Sequence, residues 1–405
     1  MSEGIKDAQK VEWLLTHGVE RVLPSAAALK ERLGKGEPLT IYNGIDPTGP
    51  TLHLGHLLTL KKLAEFQALG HKIILLIGDF TAMIGDPTDK TATRVQLTRD
   101  EVLTNCKRYK EQASRVLDFD GPNAAEMKFN SEWLAKMSFA DVIELASHFT
   151  VQQMLERDMF EKRVEESKPI HLHEFFYPLM QGFDSVAMDV DVEVGGNDQT
   201  FNMLAGRTLL KEIKKKEKFV VATKLLTDPS GKKMGKSEGN MIALTDSAND
   251  MYGKIMSWPD GMILPGFELC TDAPAEEVKA IVKAMEAGEN PMQFKRDLAQ
   301  RVVTWLVGAA KAEQAAENFT RVHSEGEKPK DIPTVRVMGV RRLSLQDALV
   351  SAGLVTSKSE VRRQIEQGGV KVNDQITMDE KMLVEIVPEG VVIQKGKRHF
   401  AKLVP

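Results

Sequence analysis

The sequence is poor in cysteine and in long apolar runs. Its 405 residues include two cysteines, Cys106 and Cys270, which are too few and too far apart for a disulfide framework. No apolar run approaches the length of a membrane-spanning helix, and the first seven residues lack the apolar core of a secretion signal. We therefore expect structural thiols, a cytoplasmic location and no membrane segment.

The chain also lacks a strong charge of either sign. Its net charge is −4, which argues against a nucleic-acid binder as a whole. The charge is uneven, however, because residues 336–405 contain 12 Lys and Arg against 8 Asp and Glu, a balance of +4, so that the rest carries −8. A basic C-terminal module on an acidic body is typical of RNA contact, and a merely solvated small domain is the alternative.

One stretch, from Ile41 to His56, carries the first chemical signal. It begins as the end of a predicted buried strand, passes through a turn rich in Gly, Asp, Pro and Thr, and enters a predicted helix that ends near Gly70. This arrangement suits phosphate, because free N–H groups and the positive end of the helix dipole point the same way. His53 and His56 share one helix face. Zinc is not favoured, because no further ligand lies at the usual spacing nearby.

A second motif, Lys-Lys-Met-Gly-Lys-Ser, occupies residues 232–237 and follows the apolar run 219–226. By itself it indicates only a solvated basic loop, but it lies about 180 residues after His53. A continuous apolar run at residues 73–77 predicts a buried parallel strand after the first helix. Strand, helix and strand form a βαβ unit, and we predict an α/β fold with a doubly wound parallel sheet.

The rest of the chain divides by pattern. Apolar residues at helical spacing predict helix over residues 1–38, and the mostly helical, charged residues near 98–168 predict an insertion. The predicted domains are an α/β domain that contains this insertion (1–238), an all-α domain (239–330) and a small α+β module (331–405). Within that module we expect helices at 343–350 and 357–365 and a strand and turn at 368–374.

Several polar residues fit one further pattern. Tyr42 follows the first strand, Asp86 lies in Ile-Gly-Asp-Pro-Thr, and Tyr177, Gln181 and Asp184 form Tyr-x-x-x-Gln-x-x-Asp. With the HLGH and KMGKS motifs, these residues resemble class I aminoacyl-tRNA synthetases with HIGH and KMSKS signatures, and nearly end to end the bacterial-type tyrosyl-tRNA synthetases. The resemblance implies a Rossmann-like catalytic domain, a helical anticodon-binding domain and a C-terminal RNA-binding module like the one named after the fourth small-subunit ribosomal protein.

The resemblance also implies the reaction, which is ATP-dependent attachment of tyrosine to tRNA(Tyr) through tyrosyl-adenylate. Tyr42 and Asp184 would hold the substrate phenol, and Asp86, Tyr177 and Gln181 would hold its α-ammonium. The chemistry agrees, since a phenol needs both an acceptor and a donor, and an ammonium needs carboxylate and amide oxygens.

Further roles follow from the same resemblance. The groups expected at the ATP phosphates and departing pyrophosphate are Thr48, His53, His56, Lys233 and Lys236, with Lys90 and Arg94 as weaker candidates. The groups expected at ATP and the reacting carboxyl are Gly44, Asp46, Gly55, Asp198, Gln199, Lys236 and Ser237. We expect Arg362 and Arg363 at tRNA, a homodimer, and Mg²⁺ that arrives with ATP, with no protein metal cage. Asn43 departs from the Cys that relatives often carry at the ribose.

Three alternatives remain at this point. A tryptophan-charging relative would share the signatures, but an indole offers only a donor, which disfavours it beside Tyr42 and Asp184. A small nucleotidyltransferase with a His-x-Gly-His motif would not need about 170 residues after the second motif. An RNA-binding protein that has lost catalysis is disfavoured by intact signatures, and ATP–pyrophosphate exchange distinguishes it.

Overall fold

The computed structural model describes most of the chain, namely residues 7–87, 97–231, 241–324, 332–337, 341–355, 358–366, 368–379, 382–396 and 399–405. The chain forms two compact units, Met1–Gly308 and Ala309–Pro405. Of the helices within those ranges, none has both the length and the apolar character that crossing a bilayer requires.

A six-stranded sheet forms the centre of the first unit. Its strands are β1 (Val19–Leu23), β2 (Thr40–Ile45), β3 (Lys72–Ile77), β4 (Glu126–Phe129), β5 (Val192–Gly196) and β6 (Phe219–Thr223). They lie in the order β1-β6-β5-β2-β3-β4, and all neighbours are parallel except β1, which runs antiparallel to β6. This arrangement confirms the predicted parallel α/β sheet.

Helices connect these strands and continue after the last one. They are α1 (Ala8–Thr16), α2 (Ala26–Gly34), α3 (Leu54–Ala68), α4 (Thr81–Ile84), α5 (Arg99–Cys106), α6 (Tyr109–Ala113), α7 (Ser131–Leu134), α8 (Phe139–Ser147), α9 (Val151–Leu155), α10 (Asp158–Glu165), α11 (Leu172–Met188), α12 (Thr200–Lys214), α13 (Ala248–Met256), α14 (Ile263–Cys270), α15 (Ala275–Glu286) and α16 (Pro291–Val307). Residues 73–77 of β3 are all buried, as a parallel strand covered on both faces requires.

Two strands differ from the prediction. Residues 1–38 do not form one helix, because α1 is followed by the left-handed Gly18 (φ 65°) and β1 then pairs with β6 at the edge of the sheet. Strand β4 lies inside the range 98–168 that was predicted as helical. Its sequence, Glu-Met-Lys-Phe, alternates charged and apolar residues over only four positions, too few to predict a strand, and pairing with β3 explains it.

The second unit is a small α+β assembly. It contains α17 (Ala309–Ser324), α18 (Leu345–Ser351), α19 (Lys358–Glu366), β7 (Thr334–Arg336), β8 (Arg342–Ser344), β9 (Val370–Val372), β10 (Gln375–Ile376), β11 (Leu383–Glu385), β12 (Val391–Lys395) and β13 (His399–Val404). One sheet has the order β10-β9-β12-β13-β7, and β11 pairs with β8. Leu345, Leu349, Val361, Val370 and Ile393 belong to its core. The helices and the strand expected in this module are confirmed as α18, α19 and β9.

Close packing of α11 against α12 gives a stability prediction. A Cβ at Gly182 on α11 would lie 2.9 Å from Leu209 Cδ1 and 3.1 Å from the backbone of Ala205 on α12. We expect Gly182→Ala to destabilise the protein by about 1–2 kcal/mol, because overpacking outweighs the helix preference of alanine. The matched control is Gly253→Ala on α13, where a Cβ meets nothing within 4 Å. The control should stabilise by about 0.5–1 kcal/mol. Urea unfolding measures both, and equal effects would contradict the packing argument.

Candidate functional site

The cavity of interest lies where the winding of the sheet reverses. From β2 the chain proceeds through β3 and β4 on one side, and it then returns to place β5 and β6 on the other side. Such a switch point leaves a crevice at the carboxyl ends of the strands. A cavity of about 310 Å³ lies there, and its wall includes the ends of β2 and β5 and the start of α3. This volume is at the lower end for small-molecule sites.

Most of the predicted site residues share this cavity. Its wall includes Gly44, Asp46, Thr48, Gly55, His56, Asp86, Tyr177, Gln181, Asp184, Asp198 and Gln199. Tyr42 and His53 lie beside the cavity and are not among its lining residues. Lys90, Arg94, Lys233, Lys236 and Ser237 lie outside the described residues. Arg362 and Arg363 are exposed on α19 of the second unit.

The two histidines form the cap of α3. His53 Nδ1 accepts a hydrogen bond from the Gly55 N–H (3.1 Å), and His56 Nδ1 accepts one from the His53 N–H (3.2 Å). Burial lowers the pKa of His53 to about 4 and that of His56 well below its ordinary value. Both rings are therefore neutral near pH 7. Because each Nδ1 accepts, each Nε2 carries the proton and can donate to a phosphate oxygen.

Asp46 at the end of β2 is held by two hydroxyl groups. Thr81 Oγ1 donates to its Oδ1 (2.7 Å), and Tyr177 Oη donates to its Oδ2 (2.9 Å). Tyr177 lies on α11, so this bond joins the end of β2 to the helix of the Tyr-x-x-x-Gln-x-x-Asp pattern. Asp46, which is predicted at ATP and the reacting carboxyl, therefore contacts Tyr177, which is predicted at the amino acid.

Asp86 is paired with a residue that the sequence analysis did not identify. Arg157 Nη2 lies 3.2 Å from Asp86 Oδ1, and Gln199 Nε2 donates to Oδ2 (2.8 Å). The buried guanidinium also lies 5.8 Å and 5.5 Å from the ring centroids of Phe160 and Phe201. Arg157 precedes α10, far from Asp86 in sequence. Its position in a charged helical segment gave no indication that it would pair with Asp86.

Asp184 on α11 is the most buried of the predicted acidic residues in the cavity wall. Trp133 Nε1 donates to its Oδ1 (2.8 Å), and Asn130 Nδ2 donates to its Oδ2 (3.3 Å). Burial raises the pKa of Asp184 well above its ordinary value, and the two hydrogen bonds act in the opposite direction. A ligand group that can form an O–H hydrogen bond with this carboxyl group, such as a phenol, therefore fits beside Asp184.

The Tyr42 hydroxyl lies behind this wall. The residue is fully buried on β2, and its Oη lies 2.8 Å from Ser185 Oγ. Its predicted contact with the substrate phenol therefore stays a prediction. Its neighbour Asn43 does line the cavity, where its Nδ2 donates to the Val194 carbonyl (2.7 Å) and its Oδ1 accepts from Thr59 Oγ1 (3.2 Å).

Glu193 on β5 is a second acid that the sequence analysis did not single out. It lines the cavity beside Gln181, whose Nε2 donates to its Oε1 (3.0 Å). The fully buried Lys218 pairs with its other oxygen. An acid in the middle of the apolar strand around Val192 and Val194 was the available signal, because a charge on a buried strand requires a partner.

In the described part of the chain, no group of three or more His, Cys, Asp and Glu side chains could hold a metal ion.

Comparisons with known proteins show which families the chain resembles. Residues 34–324 match the family described as tRNA synthetases class I (W and Y), and residues 325–403 match the tyrosine–tRNA ligase SYY-like C-terminal domain. The chain is 44% identical over 400 residues to the tyrosine–tRNA ligase of Carboxydothermus hydrogenoformans, covering 96% of this chain and 97% of that protein. It is 46% identical over 390 residues to the tyrosine–tRNA ligase of Symbiobacterium thermophilum, covering 94% of each.

A solved structure shows the same fold. The C-terminally truncated mitochondrial tyrosyl-tRNA synthetase of Coccidioides posadasii is 25% identical and superposes with a TM-score of 0.63, covering 78% of this chain and 94% of that one. The curated relatives are tyrosine enzymes, which decides against the tryptophan-charging alternative and against a small nucleotidyltransferase. The chain therefore belongs to the tyrosine–tRNA ligase family of class I aminoacyl-tRNA synthetases.

Proposed function

We propose that the cavity at the switch point carries out both steps of tyrosine attachment to tRNA(Tyr). In the first step the tyrosine carboxylate attacks the α-phosphate of ATP and releases pyrophosphate. In the second step the tyrosyl group moves to the terminal adenosine of the tRNA. The observation that carries the proposal is the meeting, in one cavity, of the start of α3 with His56 and the polar face of α11 with Tyr177, Gln181 and Asp184.

The amino acid is proposed to lie along α11. Its phenol is placed at Asp184, whose buried carboxylate favours a partner that shares a proton. Its ammonium is placed at Tyr177, Gln181 and Asp86, where oxygen acceptors line the wall. Because Tyr177 also donates to Asp46, the ammonium end lies toward the nucleotide. That orientation brings the tyrosine carboxylate to the α-phosphate.

ATP is proposed to lie over the start of α3. The Nε2–H groups of His53 and His56 donate to phosphate oxygens, and Thr48 lies in the preceding turn. The ribose and the reacting carboxyl are proposed to contact Asp46, Asp198 and Gln199. The leaving pyrophosphate is proposed to contact Lys233, Lys236 and Ser237. Mg²⁺ is expected to arrive with ATP. Catalysis is then positioning and charge stabilisation, with no protein nucleophile.

Tyrosine-dependent exchange of labelled pyrophosphate into ATP tests this proposal. We expect His56→Ala to raise the activation free energy of adenylate formation by about 2–4 kcal/mol, because the donor acts on charge that develops in the transition state. The dissociation constant of tyrosine should change little. His148→Ala is the control, since His148 pairs with Glu212 away from the cavity. Wild-type rates in His56→Ala, or no tyrosine-dependent exchange in the unaltered protein, would contradict the assignment.

We propose a homodimer that forms through the helices between β4 and β5. Apolar side chains that are more than half exposed concentrate there, namely Phe139, Ile143, Val151, Val164 and Leu172. Exposed apolar surface of this kind marks a protein contact, and family likeness makes a second copy the occupant.

Sedimentation at micromolar concentration tests the dimer. We expect the unaltered chain to sediment as a dimer and the double variant Phe139→Asp/Ile143→Asp to shift toward the monomer, because two charges would be buried in the contact. Met292→Asp on α16 is the matched control, since Met292 is also an exposed apolar residue. A monomeric unaltered chain would overturn the proposal.

We propose that the module after residue 324 binds tRNA and that the chain works in the cytoplasm. Two observations support tRNA contact: the net charge of +4 in residues 336–405 and the exposed Arg362–Arg363 pair on α19. The support for location is that Cys106 and Cys270 are buried and free, which suits a reducing compartment.

Removal of the residues after Ser324 separates the two steps. We expect tyrosine-dependent pyrophosphate exchange to stay near normal, transfer to tRNA to fall sharply, and the salt dependence of tRNA binding to flatten, because phosphate contacts weaken as salt rises. Both reactions are measured on one truncated sample. The full-length variant Arg362→Ala/Arg363→Ala should reproduce part of the loss. If exchange falls together with transfer, the module supports the catalytic unit, and if neither changes, it binds another partner.

A further inference from the structure

A buried lysine stands behind the amino-acid wall of the cavity. Lys218 precedes β6 and is 0% exposed, and it does not line the cavity. Its Nζ donates to Ser185 Oγ (2.8 Å) and to the Met203 carbonyl (3.1 Å), and it forms an ion pair with Glu193. All three protons of the ammonium are thus used. A lysine is almost never fully buried without a partner, and here Glu193 is the charged partner.

The helix that faces Lys218 leaves room for it. A Cβ at Gly206 on α12 would lie 2.5 Å from Lys218 Nζ and 2.6 Å from Ser185 Oγ. Glycine inside a helix costs about 1 kcal/mol relative to alanine. The cost is explained if the ammonium must occupy this position. The same ammonium lies 5.7 Å from the centroid of the Tyr42 ring, whose hydroxyl contacts Ser185.

The ion pair determines how Gln181 can bind a ligand. Gln181 Nε2 donates to Glu193 Oε1, and an ionised carboxylate can only accept. The amide orientation is therefore set, and the amide oxygen is the atom that remains to accept from a ligand. A cationic ammonium requires such an acceptor, whereas the reversed amide would present N–H groups to it.

We propose that Lys218 is a positioning residue for the amino acid: its ion pair holds the Glu193 side chain in place, and Glu193 orients the Gln181 amide so that its oxygen accepts from the substrate ammonium. The inference rests on the proposed binding of tyrosine in this cavity. It assigns to Lys218 and Glu193 a role in amino-acid affinity that does not extend to ATP.

Two double variants test the proposal without leaving a buried charge unpaired. Lys218→Met/Glu193→Gln keeps a neutral acceptor for Gln181 Nε2, and Lys218→Met/Glu193→Leu removes the acceptor while it keeps a similar volume. We expect the KM for tyrosine in pyrophosphate exchange to stay within about threefold of wild type in the first variant. In the second variant it should rise about tenfold or more, as the loss of one hydrogen bond to a charged group predicts. The KM for ATP should stay within about twofold in both.

A merely structural role of the pair gives a different result. It would lower the melting temperature of either variant and change the two KM values together, and that outcome would overturn the proposal. Equal KM values for tyrosine in the two double variants would also overturn it. The single variant Lys218→Met adds a rescue test, since Glu193→Gln in its background should lower the KM for tyrosine again. No exchange in the unaltered protein would instead overturn the proposed function itself.

Discussion

The site depends on one constraint, which is that β2 and β5 are neighbours although about 150 residues separate them in the chain. Parallel strands end at the same edge of a sheet, so whatever follows each strand meets the other there. After β2 come a turn rich in Gly, Asp, Pro and Thr and the helix α3, and after β5, which ends at Gly196, comes the Asn-Asp-Gln turn. Two local sequence patterns, neither of which forms a site alone, thereby become the two sides of one cavity.

Local patterns account for what the sequence could predict. His53 and His56 were placed at a helix start because a strand, a turn and apolar helical spacing follow one another within about 30 residues. Tyr177, Gln181 and Asp184 are spaced by four and three residues, so a helix brings them to one face, and α11 does so. The burial of β3 was predictable because five consecutive apolar residues leave no polar face for solvent.

The groups behind the cavity wall could not be predicted in this way. Arg157 reaches Asp86 across 71 residues and Lys218 reaches Glu193 across 25, and neither spacing is periodic. The edge strands β1 and β4 are similar, since each is formed by pairing with a distant neighbour and not by its own composition. The position of the Tyr42 hydroxyl at Ser185 depends on how β2 faces α11, which only the tertiary structure shows.

In the proposed binding mode, the two ends of the amino acid meet carboxylates that the protein solvates in different ways. Asp86 and Glu193 each have a buried cation behind them, so they contribute position with little net charge. Asp184 instead accepts hydrogen bonds from two neutral donors, Trp133 and Asn130. Its burial raises its pKa, which favours a bound proton. A buried charge pair adds little to stability by itself, and the apolar core must therefore support this polar wall.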